Sequence, residues 1–335
     1  MDVKKLRYLA RFMVACQDGD EESVNGFLRN GIDINGQILE HGGVTGLIYA
    51  CQEGRTKIVE LLIKAGVDVN IRQNDGRTAL MFACYKGYTK IVKLLIAAGA
   101  NINVHNEHGD TALIFACYNG YSKIAKLLIA AGADINSRNN QGNTALIYAC
   151  CKECLPIVRM LIKEKVAVNI KNKDGTTALM VASSYKNNKK IVKLLIKAGA
   201  EVNAKDLYGK TALVIAGRNE YIDIIKILTK ADADINVIFN ICDKWFYILH
   251  YACVLGKIKF AKILIDSGVD VNIKDDNGIT ALMYACYYGY TEIVKLLLAA
   301  NANVNIRHTN SGKTALEFAE QHGFSTIVKL LEEKK

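Results

Sequence analysis

The chain has 335 residues, of which 51% are hydrophobic and 23% charged, and its formal net charge is +10. This composition excludes an intrinsically disordered chain, because it supplies enough apolar side chains for a sizeable core. Ten cysteines in this length are too sparse for a small secreted disulfide-stabilised domain, and no apolar run is long enough to cross a membrane. We therefore expect a cytoplasmic protein in a reducing compartment with no membrane partner; delivery into a host cell as an effector is left open.

The N-terminal segment carries basic residues followed by apolar ones, but Arg11 interrupts the apolar stretch. A signal peptide needs an uninterrupted stretch, so none is expected. The sequence MVACQDGD aligns with MFACYKGY further along the chain. This alignment predicts that residues 5–35 are an incomplete first copy of a repeat.

From there the sequence repeats with a period of about 33 residues. The most regular marker of each copy is a threonine, found at Thr45, Thr78, Thr111, Thr144, Thr177, Thr211, Thr280 and Thr314. Between Thr211 and Thr280, Tyr247 occupies the same position. The spacing predicts a single domain over residues 1–335 made of ten copies, with approximate bounds 5–35, 36–70, 71–103, 104–136, 137–169, 170–203, 204–236, 237–272, 273–305 and 306–335.

Each copy is interpreted as two helices and a turn. In the copy at residues 71–103, the first helix is expected over residues 78–86, with Thr78 as its N-cap and Gly87 at its end. The second helix is expected from about Thr89, and Gly99 stands where helices end in a left-handed residue. Gly109 marks a projecting turn. The apolar side of the second helix is predicted to be formed by Ile91, Val92, Leu94 and Leu95.

The pattern G-x-T-A-L-x-x-A-x-x-x-G, followed by a segment of the type G-A-D-V-N, resembles the ankyrin-repeat family over essentially the whole chain. The resemblance implies an all-α ankyrin-repeat solenoid of helix-turn-helix units with projecting β-hairpin or turn loops. One departure is that alanine replaces the proline of the family's TPLH motif, and that its histidine survives only at His250. We interpret this departure as a more apolar version of the same packing.

Seven of the ten cysteines share one position in the repeat: Cys16, Cys51, Cys84, Cys117, Cys150, Cys253 and Cys286. Stacked helices lie 8–10 Å apart, whereas a disulfide requires Cα atoms within about 7 Å and zinc requires sulfur ligands about 2.3 Å from one centre. These thiols are therefore predicted to be packing groups in the core.

The segment CCKEC contains a C-x-x-C pair, which is also found in metal and redox sites. The repeat register instead aligns Cys151 with Tyr85 and Tyr118, and aligns Cys154 with Tyr88 and Tyr121. Cys242 stands outside both series. No second C-x-x-C or histidine pair completes a zinc set, so we predict no metal and no cofactor.

No P-loop, H-E-x-x-H, G-x-S-x-G or dinucleotide-binding motif is present in the sequence. The polar positions of the repeat are used for caps, turns and solvent contact rather than for clustered acids, bases or nucleophiles. The protein is therefore predicted not to be an enzyme.

The resemblance implies that a protein partner binds a concave groove formed by the turn tips and the outward face of the first helices. By register, the predicted groove residues are Arg77, Tyr85, Lys86, Asp110, Tyr118, Asn119, Lys152, Tyr208, Arg218, Trp245, Phe246, Tyr287 and Tyr288. Tyrosine is enriched in such interfaces because it gives a large contact area at low entropic cost. The predicted function is a non-catalytic protein-binding module, acting as an adaptor, scaffold, inhibitor or immunity-type binder, and the expected state is a monomer.

The segment INVIFNICDKWFYILHYAC departs most from the repeat, because its turn gains residues, loses its glycine and contains Phe239, Ile241, Trp245, Phe246 and Tyr247. Two interpretations stay open. Either these side chains form an exposed apolar patch that binds a partner, or the loop folds back against residues 206–210 or the following turn.

Lysines recur on the exposed side of the second helices, which is first of all a solvated surface. Such a surface could attract nucleic acid, but acidic residues interrupt the groove, so nucleic acid is not the expected partner. Two alternative functions remain: a nucleotide- or oligonucleotide-sensing array, and a purely structural elastic array.

Overall fold

Pairs of antiparallel helices follow one another along the chain, and each pair is one copy of the sequence repeat. The computed structural model describes residues 3–241 and 244–334, and only the backbone of His41. The described residues contain twenty α-helices. The structure divides into two compact units, Met1–Lys173 and Asp174–Lys335, which are described in turn.

The first unit contains five helix pairs. Their bounds are Val3–Asp18 (α1), Glu21–Arg29 (α2), Gly46–Gln52 (α3), Thr56–Lys64 (α4), Ala79–Lys86 (α5), Thr89–Ala97 (α6), Ala112–Tyr118 (α7), Ser122–Ala130 (α8), Ala145–Cys151 (α9) and Leu155–Lys163 (α10). A short 3-10 helix, Leu39–His41, lies in the turn before α3. First helices pack on first helices of neighbouring copies, as in α3 on α5, and second helices pack on second helices, as in α4 on α6.

The second unit contains the other five pairs and a β-hairpin. Its helices are Ala178–Ser183 (α11), Lys189–Lys197 (α12), Ala212–Arg218 (α13), Ile222–Thr229 (α14), Ile248–Val254 (α15), Ile258–Asp266 (α16), Ala281–Tyr287 (α17), Thr291–Ala299 (α18), Ala315–Gln321 (α19) and Ser325–Glu332 (α20), with a 3-10 turn at Lys186–Asn188. Strands Ile238–Ile241 (β1) and Lys244–Tyr247 (β2) pair antiparallel, with Phe239 opposite Phe246 and Asn240 opposite Trp245.

The repeated threonines begin the first helices, as the sequence predicts. The Thr78 hydroxyl accepts a hydrogen bond from the Met81 backbone N–H, and the same bond forms at Thr45, Thr111, Thr144, Thr177, Thr211, Thr280 and Thr314. This bond satisfies a backbone donor that has no partner inside the helix. Tyr247 takes the same place without a side-chain cap.

The second helices bury one stripe of apolar residues. In α6 the stripe consists of Ile91, Val92 and Leu95, whereas Leu94, which the sequence also placed on the apolar side, is half-buried. Gly99 follows this helix with φ +82°, the left-handed conformation that ends it. The prediction for this helix is thus confirmed except for Leu94.

The seven cysteines that share a repeat position are buried and reduced. Burial raises the pKa of the Cys16 and Cys286 thiols to about 12, because a thiolate loses its hydration in the core. These cysteines therefore contribute to packing, as predicted. At the same position, Ser183 donates a hydrogen bond to the Leu179 carbonyl. Cys242 lies outside the described residues.

Asparagine side chains join the turn of one copy to the next copy. Asn70 Oδ1 accepts the Asn101 backbone N–H at 2.7 Å, and its Nδ2 donates to the Gly99 carbonyl at 3.3 Å. Asn103 makes the equivalent bonds to Asp134 and Gly132. In the second unit Asn203 bonds in the same way to Asp234 and Asp232. The role of these asparagines was not predicted from the sequence.

Turn tips also bond to the next copy through the backbone. These tips have the form of a hairpin and are called hairpins below. The Glu107 N–H donates to the Asp75 carbonyl at 2.8 Å, and the Asn140 N–H donates to the His108 carbonyl at 2.8 Å. In the second unit the Thr309 N–H donates to the Asn277 carbonyl at 3.0 Å. The hairpins of each unit are thereby held in a fixed row.

Candidate functional site

The exposed aromatic side chains of the described residues all lie on first helices, on the C-cap of one of them (Tyr288), or on hairpins. The most exposed, with between 43% and 56% of their surface accessible, are Tyr85, Tyr118, Tyr208, Trp245, Tyr287 and Tyr288. We call the surface of hairpins and first helices the inner surface, and that of second helices the outer surface. The second helices carry exposed lysines instead: Lys57, Lys90, Lys93, Lys123, Lys126, Lys190, Lys193, Lys226, Lys262 and Lys295.

In the first unit, the inner surface has an aromatic row across α5, α7 and α9. The Tyr118 ring meets the Tyr148 ring edge to face at 5.5 Å, and the Lys152 Nζ lies 5.2 Å from the centre of the Tyr118 ring. The Tyr85 ring meets Phe115 at 5.8 Å. Such cation–π and edge-to-face contacts hold the rings in place before any partner binds.

A shallow cavity of about 250 Å³ lies in this row, and its lining includes Tyr85, Asp110 and Tyr118. The Asn139 Nδ2 donates to Asp110 Oδ1 at 2.9 Å and to the Tyr148 hydroxyl at 3.0 Å. The structure therefore brings Tyr85, Asp110 and Tyr118 together around one cavity, with Asn139 positioning the carboxylate.

Three predicted groove residues of this unit stand apart from that cavity. The Arg77 guanidinium is 2.6 Å from the Asp75 carboxylate and stacks over Phe82 at 4.7 Å, and the residue is half-buried within its own copy. The Asn119 Nδ2 donates to the Phe115 carbonyl at 3.0 Å. Lys86 is exposed at the end of α5.

In the second unit, Tyr208 is at a hairpin tip, with the Lys210 Nζ 5.0 Å from the centre of its ring. Arg218 is exposed at the end of α13 and borders a cavity of about 330 Å³ that also contacts Phe239 and Tyr251. Burial raises the pKa of Tyr251, and the nearby Arg218 charge opposes that rise. Tyr251 therefore remains a neutral phenol at physiological pH.

The segment around Phe239 and Trp245, which departs most from the repeat, agrees in part with each of the two interpretations that the sequence left open. Phe239 on β1 is fully buried against Tyr251, with ring centres 5.0 Å apart. The Asn240 N–H donates to the Tyr208 carbonyl at 2.7 Å, so the hairpin packs on the turn at residues 206–210. Trp245, on the other strand, exposes 56% of its surface. The segment thus fills the core with one side chain and presents another to solvent.

Trp245 and Phe246 form one wall of a cavity of about 600 Å³. Its other walls come from the hairpins after α16 and α18, from α17 with its C-cap, and from α19: Asp275, Asp276, Asn277, Ile279, Met283, Tyr284, Tyr287, Tyr288, His308 and Phe318, and Lys244 lies at its edge. The structure therefore brings four predicted residues together here. Asp275, Asp276, Tyr284 and Phe318 were not predicted from the sequence, although their register at hairpin tips and on first helices could have indicated them.

Beneath this cavity, His250 is fully buried on α15. Its Nε2 lies 3.1 Å from the Ile273 carbonyl, whereas its Nδ1 has no hydrogen-bond partner among the described residues. Burial lowers the pKa of His250, although the Ile273 carbonyl and the Asp275 carboxylate oppose that shift. The imidazole is therefore neutral, with its proton on Nε2.

The C-x-x-C pair is split between two environments. Cys151 is exposed at the end of α9, and Cys154 is half-buried with its Sγ 3.4 Å from the Ser122 hydroxyl. Across residues 3–241 and 244–334, no group of three or more His, Cys, Asp or Glu side chains is arranged to hold a metal ion. Within those residues, no helix combines the length and apolar character that membrane crossing requires.

The model of the family described as ankyrin repeats (3 copies) matches residues 12–106, 95–172, 164–238 and 249–335. The chain belongs to the ankyrin-repeat family. Its twenty described helices and its hairpins form the all-α ankyrin-repeat fold that the sequence predicts. A search of curated proteins gave no match.

Ankyrin repeats are in general protein–protein interaction modules, and ankyrin-repeat proteins are typically non-catalytic. Membership in the family therefore suggests a protein partner for this ankyrin-repeat protein.

Proposed function

We propose that this protein binds another protein through its inner surface and has no catalytic activity. The observation that supports the proposal most is that, among the described residues, the exposed aromatic side chains are confined to first helices, the C-cap of one of them, and hairpins. Rigid aromatic side chains bury a large area for little conformational entropy, and they dominate the binding energy of protein interfaces. Roles as an adaptor, scaffold, inhibitor or immunity-type binder are all compatible with this mode of binding.

Charge on the inner surface supports a protein rather than a polyanion as the partner. In the first unit Asp110 and Lys152 flank the Tyr118 ring, and in the second Asp275 and Asp276 flank Trp245. A mixed surface discriminates among proteins by complementarity, whereas these carboxylates repel phosphate groups. We further propose that the ten copies over residues 1–335 act as one domain, that the protein is monomeric, and that it works in the cytoplasm.

A second candidate function follows from the outer surface. Its exposed lysines would attract nucleotides or oligonucleotides by long-range electrostatics. Binding of that kind weakens steeply between low and moderate salt concentration, whereas binding through aromatic side chains of the inner surface changes little.

The test is affinity capture from the native cells with three matched proteins. These are the wild type, a variant with Tyr118→Ala and Trp245→Ala on the inner surface, and a variant with Lys93→Ala and Lys126→Ala on the outer surface. We expect that the wild type and the outer-surface variant capture the same protein at low and moderate salt, and that the inner-surface variant does not capture it. Capture lost from the lysine variant and at moderate salt would favour the nucleotide-binding function. Capture unchanged in both variants would place the binding surface elsewhere, and no capture by the wild type would favour a purely structural array.

A further inference from the structure

The cavity beside Trp245 combines aromatic faces with carboxylates, and this combination selects the charge of what binds there. The inference rests on the proposed function, since it concerns the same inner surface. The volume of the cavity, about 600 Å³, is in the range of sites that bind a side chain or a small molecule. The chemistry of its walls is therefore informative about the occupant.

The aromatic walls are held rigidly. The Tyr287 ring packs edge to face against Tyr288, with centres 5.0 Å apart, and against Phe318 at 6.3 Å. Phe246 and Tyr284 also line the cavity, with ring centres 6.4 Å apart. Trp245 stands free of the core with 56% of its surface exposed. The faces of such rings carry negative electrostatic potential, which attracts cations.

The carboxylates are also oriented. Asp275 Oδ1 accepts the backbone N–H groups of Asn277 and Ile279, and its Oδ2 accepts the Tyr284 hydroxyl at 2.9 Å. Burial, followed by this bond, raises the pKa of Tyr284, so the phenol remains a donor that fixes the carboxylate. Asp276 is exposed, and its side chain has no hydrogen bond or ion pair with the described residues.

We propose that this cavity binds an arginine side chain on a peptide segment of the protein partner. A guanidinium stacks on aromatic faces and donates a fork of hydrogen bonds to a carboxylate, and both acceptors are present here. The Asp276 carboxylate is the group that bonds the guanidinium. Trp245 and Tyr288 supply the faces on which it stacks.

The other polar groups at the cavity do not reverse its charge. Lys244 is exposed at the edge, where water screens its charge. His308 Nδ1 is engaged with the Ser311 hydroxyl at 2.7 Å. Two carboxylates and one lysine leave a negative excess in the lining of this cavity, whereas Lys205 lies in an adjoining cavity that shares Trp245, Asp275 and Asp276, and the whole chain has a net charge of +10.

Trp245 is the one tryptophan of the chain, so its fluorescence reports on this cavity. The experiment titrates the full-length protein, at constant ionic strength, with capped pentapeptides of sequence Ala-Ala-Arg-Ala-Ala, and with counterparts that contain lysine or glutamine instead of arginine. We expect a saturable change in Trp245 emission with the arginine peptide, a weaker one with lysine and none with glutamine. Equal responses to arginine and glutamine peptides, or no response to arginine up to about 20 mM, would overturn the proposal. Equal affinity for the lysine peptide would overturn the assignment to arginine.

Two variants locate the binding. Asp276→Asn removes the charge and Tyr288→Leu removes an aromatic face, and each is expected to weaken arginine-peptide binding about two- to fivefold, or about tenfold together. The control is Asp223→Asn, which neutralises an exposed aspartate on α14 of the outer surface and should leave the affinity unchanged. Equal affinity in the double variant and the control contradicts this site, provided both proteins melt like the wild type.

The outcome is separable from that of the proposed function. If the capture experiment shows a partner that depends on Tyr118 and Trp245 while the arginine peptide fails to bind, the arginine assignment is wrong and protein binding stands. If the peptide binds but no protein depends on the inner surface, the cavity is a cation site and the proposed function fails.

Discussion

The ring of Phe260 on α16 occupies the space that a side chain at Gly217 on α13 would need. A β-carbon added at position 217 would overlap the ring edge, and both residues are otherwise buried. Gly217 stands at the repeat position of the buried cysteines, and Phe260 stands where the other second helices from α4 to α20 have isoleucine. A small residue in one copy is therefore compensated by a large one in the next.

This compensation predicts a large coupling energy between the two positions. Gly217→Cys forces the Phe260 ring aside and should cost about 1–3 kcal/mol, and Phe260→Ile leaves a void and should cost a similar amount. The double variant restores the residues of the other copies, so its cost should be lower than the sum by about 1–2 kcal/mol or more. Urea unfolding of the four proteins measures this coupling. Strictly additive costs would contradict the packing described here.

Gly87 and Gly120 have the same left-handed backbone but different surroundings, which makes them a matched pair. Their φ angles are +87° and +75°, and a β-carbon at 87 would lie 2.8 Å from Tyr121, whereas one at 120 meets nothing within 4 Å. Alanine in this conformation costs about 1–2 kcal/mol at either site. Gly87→Ala should cost about 1 kcal/mol more than Gly120→Ala because it also displaces the ring. Equal shifts in melting temperature would show that the ring yields freely.

The space above Gly120 is open because Cys154 replaces the tyrosine that covers the equivalent glycine elsewhere, as Tyr121 covers Gly87. Cys154→Tyr should fill this space and stabilise the protein by about 0.5–2 kcal/mol. In that background, Gly120→Ala should become as costly as Gly87→Ala. Thermal melting of the single and double variants tests both statements. A destabilised Cys154→Tyr protein would mean that the bond between Cys154 and Ser122 outweighs the added packing.

His250 predicts a pH-dependent stability of the hairpin region. Its folded-state pKa is lowered, so below about pH 6.5 the unfolded chain binds a proton that the folded chain does not. Stability is therefore retained above pH 6.5 and falls below it, by up to about 1.4 kcal/mol per pH unit. His250→Met, which places there the residue found at Met81, should flatten this dependence. The measurement is the urea midpoint followed by Trp245 emission between pH 5 and 8, values chosen to bracket about 6.5. Parallel profiles for the two proteins would assign the dependence to other groups.

The cysteines predict a selective pattern of alkylation. Because the exposed Cys151 thiol is accessible, it should react with a maleimide in the native state, whereas the seven buried thiols should react only on unfolding. The raised pKa of about 12 for Cys16 and Cys286 strengthens their protection at neutral pH. Peptide mass spectrometry after brief labelling, with and without urea, distinguishes the two classes. Native-state labelling of Cys84 or Cys117 would contradict their burial.

The features that recur in most copies could be predicted from the sequence. The threonine caps and the buried thiols depend only on local positions within one copy, so each repetition adds evidence for the same assignment. This is why the predictions for Thr78, Gly99 and the seven cysteines that share a repeat position agree with the structure. The half-exposed Leu94 shows that periodicity alone does not fully define the buried side of a helix.

The features that occur once could not be predicted in this way. Whether Phe239 or Trp245 is buried depends on which face of the hairpin packs on the core, because Phe239 and Phe246 share one face and Asn240 and Trp245 share the other. The period of the repeat contains no information about an inserted segment. The pairing of Gly217 with Phe260 is visible only when two copies are compared column by column. The cavity beside Trp245 combines three hairpins and two helices, so its carboxylates and Tyr284 were missed even though Tyr287 and Tyr288 were predicted.

The asparagine bridges described above have an evolutionary consequence. Asn70, Asn103 and Asn203 each bind backbone groups that any following copy offers, whatever its side chains. When a copy is duplicated or deleted, the same hydrogen bonds can therefore form between the new neighbours, and no polar group is left without a partner. Unequal recombination within the gene can lengthen or shorten the recognition surface in whole steps, and selection can then act on the tips of each new copy independently of the scaffold.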